Sequence, residues 1–174
     1  MFADPVKILQ NFGIAESMII VDLGAGSGFY SLAAAKMAPT GKVYAVEVQK
    51  DFLTTLKTKA QTEHLNNIEG IWGDIEKIGG TKLADGVADV AIVSNVLFLS
   101  LSKKKLLEET WRILKRGGRV LFIDWSDSSS TLGPKSDRVL LPDKARGLFE
   151  TEKFIYDRDI PAGAHHYGMI FKKI

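Results

Sequence analysis

The chain has 174 residues, no cysteine and a formal net charge of +2; that length suffices for one core of ordinary size, so residues 1–174 read as a single domain. Hydrophobic residues make up 45% and charged residues 25%, a globular balance that excludes disorder, collagen-like repeats and a membrane-spanning bundle. The missing cysteines exclude disulfides, thiolate metal sites and cysteine nucleophiles, and two surplus charges are too few to imply a nucleic-acid partner. In chain order, Asp4 caps and Pro5 opens a short amphipathic helix over residues 5–12, which Gly13 stops. Residues 18–23 are apolar except for Asp22 and end at glycines, the pattern of a strand buried on both faces. A helix over 27–37, a strand over 42–48 and a helix over 51–64 follow, the last with Phe52, Leu53, Leu56 and Ala60 at helical spacing. Short strands are predicted over 68–72 and 88–94. The apolar run 87–101 is broken by Asp89, Ser94, Asn95 and Ser100 and is too short and too polar to span a bilayer. A helix over 103–114 ends before Gly117-Gly118, and a fifth strand covers 119–125. The Lys103-Lys104-Lys105 run reads as a solvated helix face.

Alternating strands and helices make a parallel sheet covered on both faces. The last two strands, 153–159 and 167–172, are joined by only the Pro161-Ala162-Gly163 turn, and so short a connection joins antiparallel partners. The expected fold is therefore α/β: a doubly wound, Rossmann-like, mostly parallel sheet with an antiparallel C-terminal hairpin. Without a basic stretch leading into an apolar one at the start, a cytoplasmic protein is expected.

Val21-Asp22-Leu23-Gly24-Ala25-Gly26-Ser27-Gly28 is the most informative stretch. It leaves a buried strand and opens a helix. Gly24 and Gly26 allow backbone conformations and a close ligand approach that a side chain would block. The dinucleotide fingerprint G-x-G-x-x-G would place glycine where Phe29 stands. Here the spacing is G-x-G-x-G after an acid, and Asp22 suits a ligand carrying an ammonium and a sulfonium better than a pyrophosphate.

The stretch resembles the first motif of the class I S-adenosylmethionine-dependent methyltransferases, (V/I/L)-D-(L/V/I)-G-x-G-x-G. The resemblance continues at Glu47, which ends the second strand, at Gly73-Asp74-Ile75 after the third, and at Leu114-Lys115-Arg116-Gly117-Gly118 before the fifth. It is narrowest toward small stand-alone enzymes related to the ubiquinone and menaquinone biosynthesis methyltransferases. It implies S-adenosyl-L-methionine as cofactor, with the methionine part against Gly24, Ala25 and Gly26. Glu47 would accept from the ribose hydroxyls and Asp74 from the adenine amino group, with Ile75 packed on the ring. Asp22, Gly28 and Asn95 are assigned to the same site. The turn at Gly117-Gly118 is structural.

The acceptor is less legible, because methyl transfer asks mainly for alignment and the exclusion of water. Ser94-Asn95-Val96-Leu97 lacks the prolines and aromatic of the amino-methylating nucleic-acid enzymes. Arsenite methyltransferases hold arsenic with cysteines, of which there are none. A small-molecule acceptor is expected, with neither nucleic acid nor membrane as partner and no metal. Its pocket would be roofed by the N-terminal helix (residues 1–16, placed over the cofactor site), by the loops 94–102 and 124–142, or by the second subunit of a homodimer. Strand direction brings Asp124 and Trp125 to the same rim as His165, His166 and Tyr167, and Asp124 and His166 are the catalytic candidates. Three other readings stay open: a non-catalytic cofactor-binding or scaffold subunit, an NAD-type oxidoreductase on a related fold, and a methyltransferase acting on RNA or protein.

Overall fold

The structure, a computed structural model, describes residues 4–128 and 133–174. Seven strands make one sheet: β1 (Ile19–Leu23), β2 (Lys42–Glu47), β3 (Ile68–Trp72), β4 (Ala88–Ser94), β5 (Leu114–Trp125), β6 (Ile155–Ile160) and β7 (His166–Lys172). Their order across the sheet is β3-β2-β1-β4-β5-β7-β6. β1 to β5 pair in parallel, and β7 is antiparallel to both β5 and β6. The reversal of order at β1 is where such sheets open a crevice beyond their carboxyl ends.

Alternation along the strands divides the core. Ile20, Val43, Ile92, Leu121 and Ile123 face a layer containing α1 (Pro5–Phe12) and α2 (Phe29–Met37), and α3 (Lys50–Thr62) lies beyond it over Ala45. Val21, Leu23, Val93, Phe122 and Phe171 face α4 (Lys103–Ile113) and α5 (Pro142–Thr151) on the other side. Central strands buried on both faces account for the continuous apolar runs in their sequences.

α1 begins and ends as its sequence predicts. The Asp4 carboxylate accepts from the Val6 and Lys7 amides at 3.1 and 3.3 Å, and Gly13 closes the helix at φ +83°. Its stripe of Ile8, Leu9 and Phe12 is buried against α2 and the sheet, and Arg119 donates to the Phe12 and Gly13 carbonyls, capping its C-terminus. The helix expected over the cofactor site thus lies along the sheet face.

Several boundaries shift from expectation; two of the shifts have a local cause, and one helix was not expected at all. α2 starts at Phe29 rather than residue 27, because Gly28 at φ +88° is its N-cap. β5 starts at Leu114, which pairs with Ala88 before the register shifts to Val90 and Arg119. Gly117 sits inside this extended run and donates to the Lys173 carbonyl at 2.7 Å. α5 has no counterpart in the sequence reading. Pro142 stands in its first turn, and Phe149 stacks on Phe171 with ring centroids 4.1 Å apart.

Candidate cofactor site and the rim beside it

β1, β2 and β4 end at one rim, where their following loops enclose a cavity of about 400 Å³, within the usual range for small-molecule sites. The glycine loop after β1 is drawn against the end of β2. Gly24 and Ala25 both donate to the Val46 carbonyl, at 2.9 and 3.1 Å. Each glycine has its own reason. A Cβ on Gly24 would strike Val96 and one on Gly28 would strike Leu56, whereas one on Gly26 would meet nothing within 4 Å. Gly24 and Gly28 are close-packing positions. Gly26, at φ +52°, leaves space on the cleft side.

Glu47 is almost fully buried and organises this end. Its Oε1 accepts from the Val48 and Gln49 amides at 2.8 and 2.9 Å, and its Oε2 accepts from the Gly26 amide at 2.9 Å. A carboxylate has about four acceptor positions, so an acceptor position on Oε2 remains for a ligand. Asp74 serves its own turn: Oδ1 accepts from the Glu76 amide at 2.9 Å. Asn95 follows β4 at φ 55°, a conformation asparagine tolerates better than most residues. Its buried Oδ1 has no hydrogen-bond partner among the described residues.

Six of the nine residues assigned from sequence, Gly24, Gly26, Glu47, Asp74, Ile75 and Asn95, line the one cavity. Asp22, Ala25 and Gly28 are not part of its lining. Asp22 lies under the loop, 3% exposed, where its Oδ2 accepts from the Ser31 hydroxyl at 2.5 Å. Burial pushes its carboxyl up to about 6. No residue of α1 is among those that line the cavity.

Two acids, one in the cavity wall and one that holds the segment after it, were not singled out in the sequence. Glu76 accepts from the Leu101 and Ser102 amides at the start of α4, at 3.3 and 2.8 Å. It thereby joins the loop after β3 to the loop after β4. Glu109, fully buried, accepts from the Gly79 and Thr81 amides, the Thr81 hydroxyl and both Nε and Nη2 of Arg112. The Arg112, Thr81 and amide donors more than offset burial and hold its carboxyl down at about 2. The available signal was the pair of opposite charges three residues apart on one helix, Glu109 and Arg112; its tie to residues 79–81 lies too far away in sequence to be visible.

The acceptor candidates separate. Asp124 opposes Tyr167 across the β5–β7 ladder, and Trp125 opposes His166. Opposed residues share a face and successive residues alternate, so Asp124 and His166 stand at the same end of the sheet on opposite faces. The two candidates thus share the rim expected from sequence but not one face of it. His166 packs on Trp125, ring centroids 4.2 Å apart, with its Nδ1 donating to the Ala164 carbonyl at 3.2 Å. Burial holds its pKa below the usual histidine value. His165 lies outside β7 at φ 65° and meets Asp127 at 3.0 Å.

Asp124 is fully buried. Its Oδ1 accepts from the Trp125 amide at 2.9 Å, and its Oδ2 has no partner among the described residues. Burial pushes this carboxyl up to about 7, against the opposing pull of the Trp125 and Phe98 amides and of Lys103. Beside it, the Tyr167 hydroxyl donates to the Leu140 carbonyl at 2.6 Å.

Comparison with known proteins agrees with this architecture. A family model described as a methyltransferase domain matches residues 14–151. The arsenite methyltransferase of Halobacterium salinarum is 30% identical over 135 residues, 77% of this chain and 33% of that protein. The demethylmenaquinone methyltransferase of Lactococcus lactis is 29% identical over 121 residues, 69% of this chain and 47% of that protein. The chain thus spans about a third to a half of the length of these curated relatives. The crystal structure of a SAM-dependent methyltransferase from Aquifex aeolicus matches with a TM-score of 0.90 at 28% identity, covering 99% of this chain and 91% of that one. The chain belongs to the methyltransferase-domain family and has the class I methyltransferase fold. S-adenosylmethionine is the cofactor of that class. The residues present fit it: an open backbone cradle at Gly26, a carboxylate with a remaining acceptor position at Glu47, and an unpartnered acceptor at Asn95.

Proposed function

We propose that the protein is an S-adenosylmethionine-dependent methyltransferase acting on a small-molecule acceptor. The observation that carries this reading is the charge of the cleft. Its ionisable lining is Glu47, Asp74 and Glu76, with no lysine or arginine. Such a wall concentrates cations and suits a ligand with a sulfonium and an ammonium.

In this reading the backbone at Gly24 and Gly26 carries the methionine part. Glu47 accepts from the ribose, Asp74 from the adenine amino group, and Ile75 packs on the adenine. Asn95 offers its Oδ1 to a donor of the cofactor. Asp22, Ala25 and Gly28 act from below by shaping the loop. When bound, the cofactor supplies an electrophilic sulfonium methyl, taken by an acceptor nucleophile while the carbon–sulfur electron pair stays on sulfur. Oδ2 of Asp124 is the position at which this chain can hold a proton near neutral pH; His166, on the other face, takes no part in that step. Arsenite does not suit this chain as acceptor, since a soft centre calls for thiolates and there is no cysteine. An organic acceptor with an oxygen, nitrogen or carbon nucleophile does.

The test is calorimetry with S-adenosylmethionine and S-adenosylhomocysteine, followed by incubation of the methyl-tritiated cofactor with a small-molecule extract. Saturable binding and label in a low-molecular-weight product are expected. Label appearing only in RNA or protein would overturn the acceptor class, and binding without any transfer would make the chain a cofactor-binding subunit.

A further inference from the structure

The cofactor cleft does not end at its own wall. Leu99 and Ser100, which line it, also line a second cavity of about 400 Å³ between the loop after β4 and the segment leading into α5. That cavity shares Phe98, Leu99 and Arg138 with a third, of about 460 Å³. Through these shared residues the three cavities adjoin around the 98–100 loop, and the second and third together are called the groove beside the cleft.

The groove is built unlike the cleft. Phe98, Leu99 and Leu140 give it an apolar side, and Lys103, Arg138 and Lys144 line it against one carboxylate, Asp137. None of these three cations has an ion-pair partner among the described residues, although Lys103 donates to the Ser100 carbonyl at 2.8 Å. Three unpaired cations around one cavity is a charge arrangement awaiting an anion. A second observation lies where groove and cleft meet: the Ser100 side chain is 6% exposed and its hydroxyl has no partner among the described residues. A buried, unsatisfied hydroxyl is uncommon in a finished core. Asp124 lies close under the same segment, since the Phe98 amide and the Lys103 charge both act on its carboxyl.

We propose that this groove is the acceptor site and that the acceptor is an amphipathic anion, an aromatic or alkyl molecule bearing a carboxylate or phosphate. The proposal rests on the methyltransferase reading above and adds the substrate class to it. The anionic group sits at Arg138 and Lys144, the apolar body lies against Phe98, Leu99 and Leu140, and the reacting end passes Ser100 into the cleft above Asp124.

The test uses the full chain saturated with S-adenosylhomocysteine and two probes of like shape, anionic 8-anilinonaphthalene-1-sulfonate and uncharged N-phenyl-1-naphthylamine. Arg138 and Lys144 are exposed, so the double variant Arg138→Gln/Lys144→Gln keeps its core. It should bind the anionic probe at least about fivefold more weakly, since an exposed charge pair contributes a factor of about two to five. Affinity for the uncharged probe should stay within about twofold on the same grounds. The control Lys57→Gln/Lys172→Gln, at exposed positions outside the groove, should leave both unchanged. Equal losses in the two double variants, or equal affinity of wild type and groove variant for the anion, would overturn the proposal. So would an effect seen only with phosphatidylglycerol vesicles and not with the soluble probe, which would make the patch a membrane-facing surface. The labelled product of the transfer assay should be retained by an anion exchanger at neutral pH; a neutral or cationic product overturns the acceptor class. Calorimetry with S-adenosylhomocysteine separates the two readings. If wild type does not bind it, the methyltransferase reading fails and the anion preference is judged alone. If wild type and groove variant bind it equally, any failure belongs to the groove.

Discussion

The cleft and the groove meet at Leu99 and Ser100 and differ in nearly every other respect. The cleft is acidic, floored by backbone and built from residues that directly follow β1, β2, β3 and β4. The groove is basic, built from side chains, and joins the loop after β4 to a segment some forty residues later. On the proposed reading the difference follows from the two ligands: a cationic cofactor would be held by main chain and a few carboxylates at fixed strand ends, and an acceptor would be left to loops, where sequence can vary without disturbing the sheet.

The sharpest way to break this contrast is at Gly26. Its backbone is left-handed and the space a side chain would enter is open. Gly26→Leu should therefore fold with modest strain, of about 1–2 kcal/mol, yet fill the cleft. Calorimetry should show no saturable binding of S-adenosylhomocysteine at concentrations that saturate the wild type. Wild-type affinity would mean that the cofactor does not lie on this loop.

Next in size is the pH dependence set by Asp124. Its carboxyl stands at about 7 in the folded chain, against an ordinary value of 3.8. Between those values the folded state holds a proton that the unfolded state has released. Stability from this group is thus complete below about 4 and is lost as pH rises toward 7. A shift of about three units is at most a few kcal/mol. Asp22, raised to about 6, adds a loss of the same sign over a lower window. Asp124→Asn should flatten the fall in stability between about pH 4 and 7 as measured by urea unfolding. An unaltered slope would show that Asp124 ionises normally and cannot hold a proton for the reaction.

The same contrast explains what the sequence made legible. The parallel body, the antiparallel end and the glycine loop follow from local signals: apolar runs, glycines at fixed spacing, a three-residue turn. Six of the nine residues assigned to the cofactor from sequence fall on the lining of one cavity, because the motif and the strand ends are contiguous. Asp124 and His166 were placed at the correct rim, but their faces depend on the β5–β7 register, and a shift of one residue exchanges the faces. α5 was passed over although Pro142, Ala145, Leu148 and Phe149 carry its start and its buried stripe. Its charged positions dilute that stripe, and Phe149 packs against Phe154 and, far away in sequence, against Phe122 and Phe171. Without α5 the groove had no second wall, so Arg138 and Lys144 carried no meaning.

Glu47 sharpens the cofactor side of the comparison. Three backbone amides already bind its carboxylate, so gripping both ribose hydroxyls requires sharing Oε2 with Gly26. A charged hydrogen bond is worth about 1.5–3 kcal/mol. Glu47→Ala should weaken S-adenosylhomocysteine binding at least about tenfold and also loosen the glycine loop. Glu47→Gln separates the two effects, since an amide oxygen can still accept from the backbone. A dissociation constant unchanged in both variants would remove Glu47 from the site.

Asp74 should give the smallest effect, for a reason visible in its bonding. Its Oδ1 already accepts from the Glu76 amide, and its Oδ2 lies 3.5 Å from the exposed Lys77 ammonium. The side chain is 39% exposed, so water competes for whatever else it binds. A hydrogen bond from a neutral adenine amino group to such a carboxylate adds about 1 kcal/mol or less beyond what solvent offers. Asp74→Ala should therefore weaken cofactor binding by about fivefold at most, with part of that loss coming from the turn at Glu76. Comparing S-adenosylhomocysteine with its analogue lacking the amino group separates the two contributions. A loss through the turn affects both ligands alike. A loss through the amino group affects only the natural one, so the preference of wild type for it should vanish in the variant. If the preference survives intact, Asp74 is a turn residue, and the adenine edge is read elsewhere on this wall.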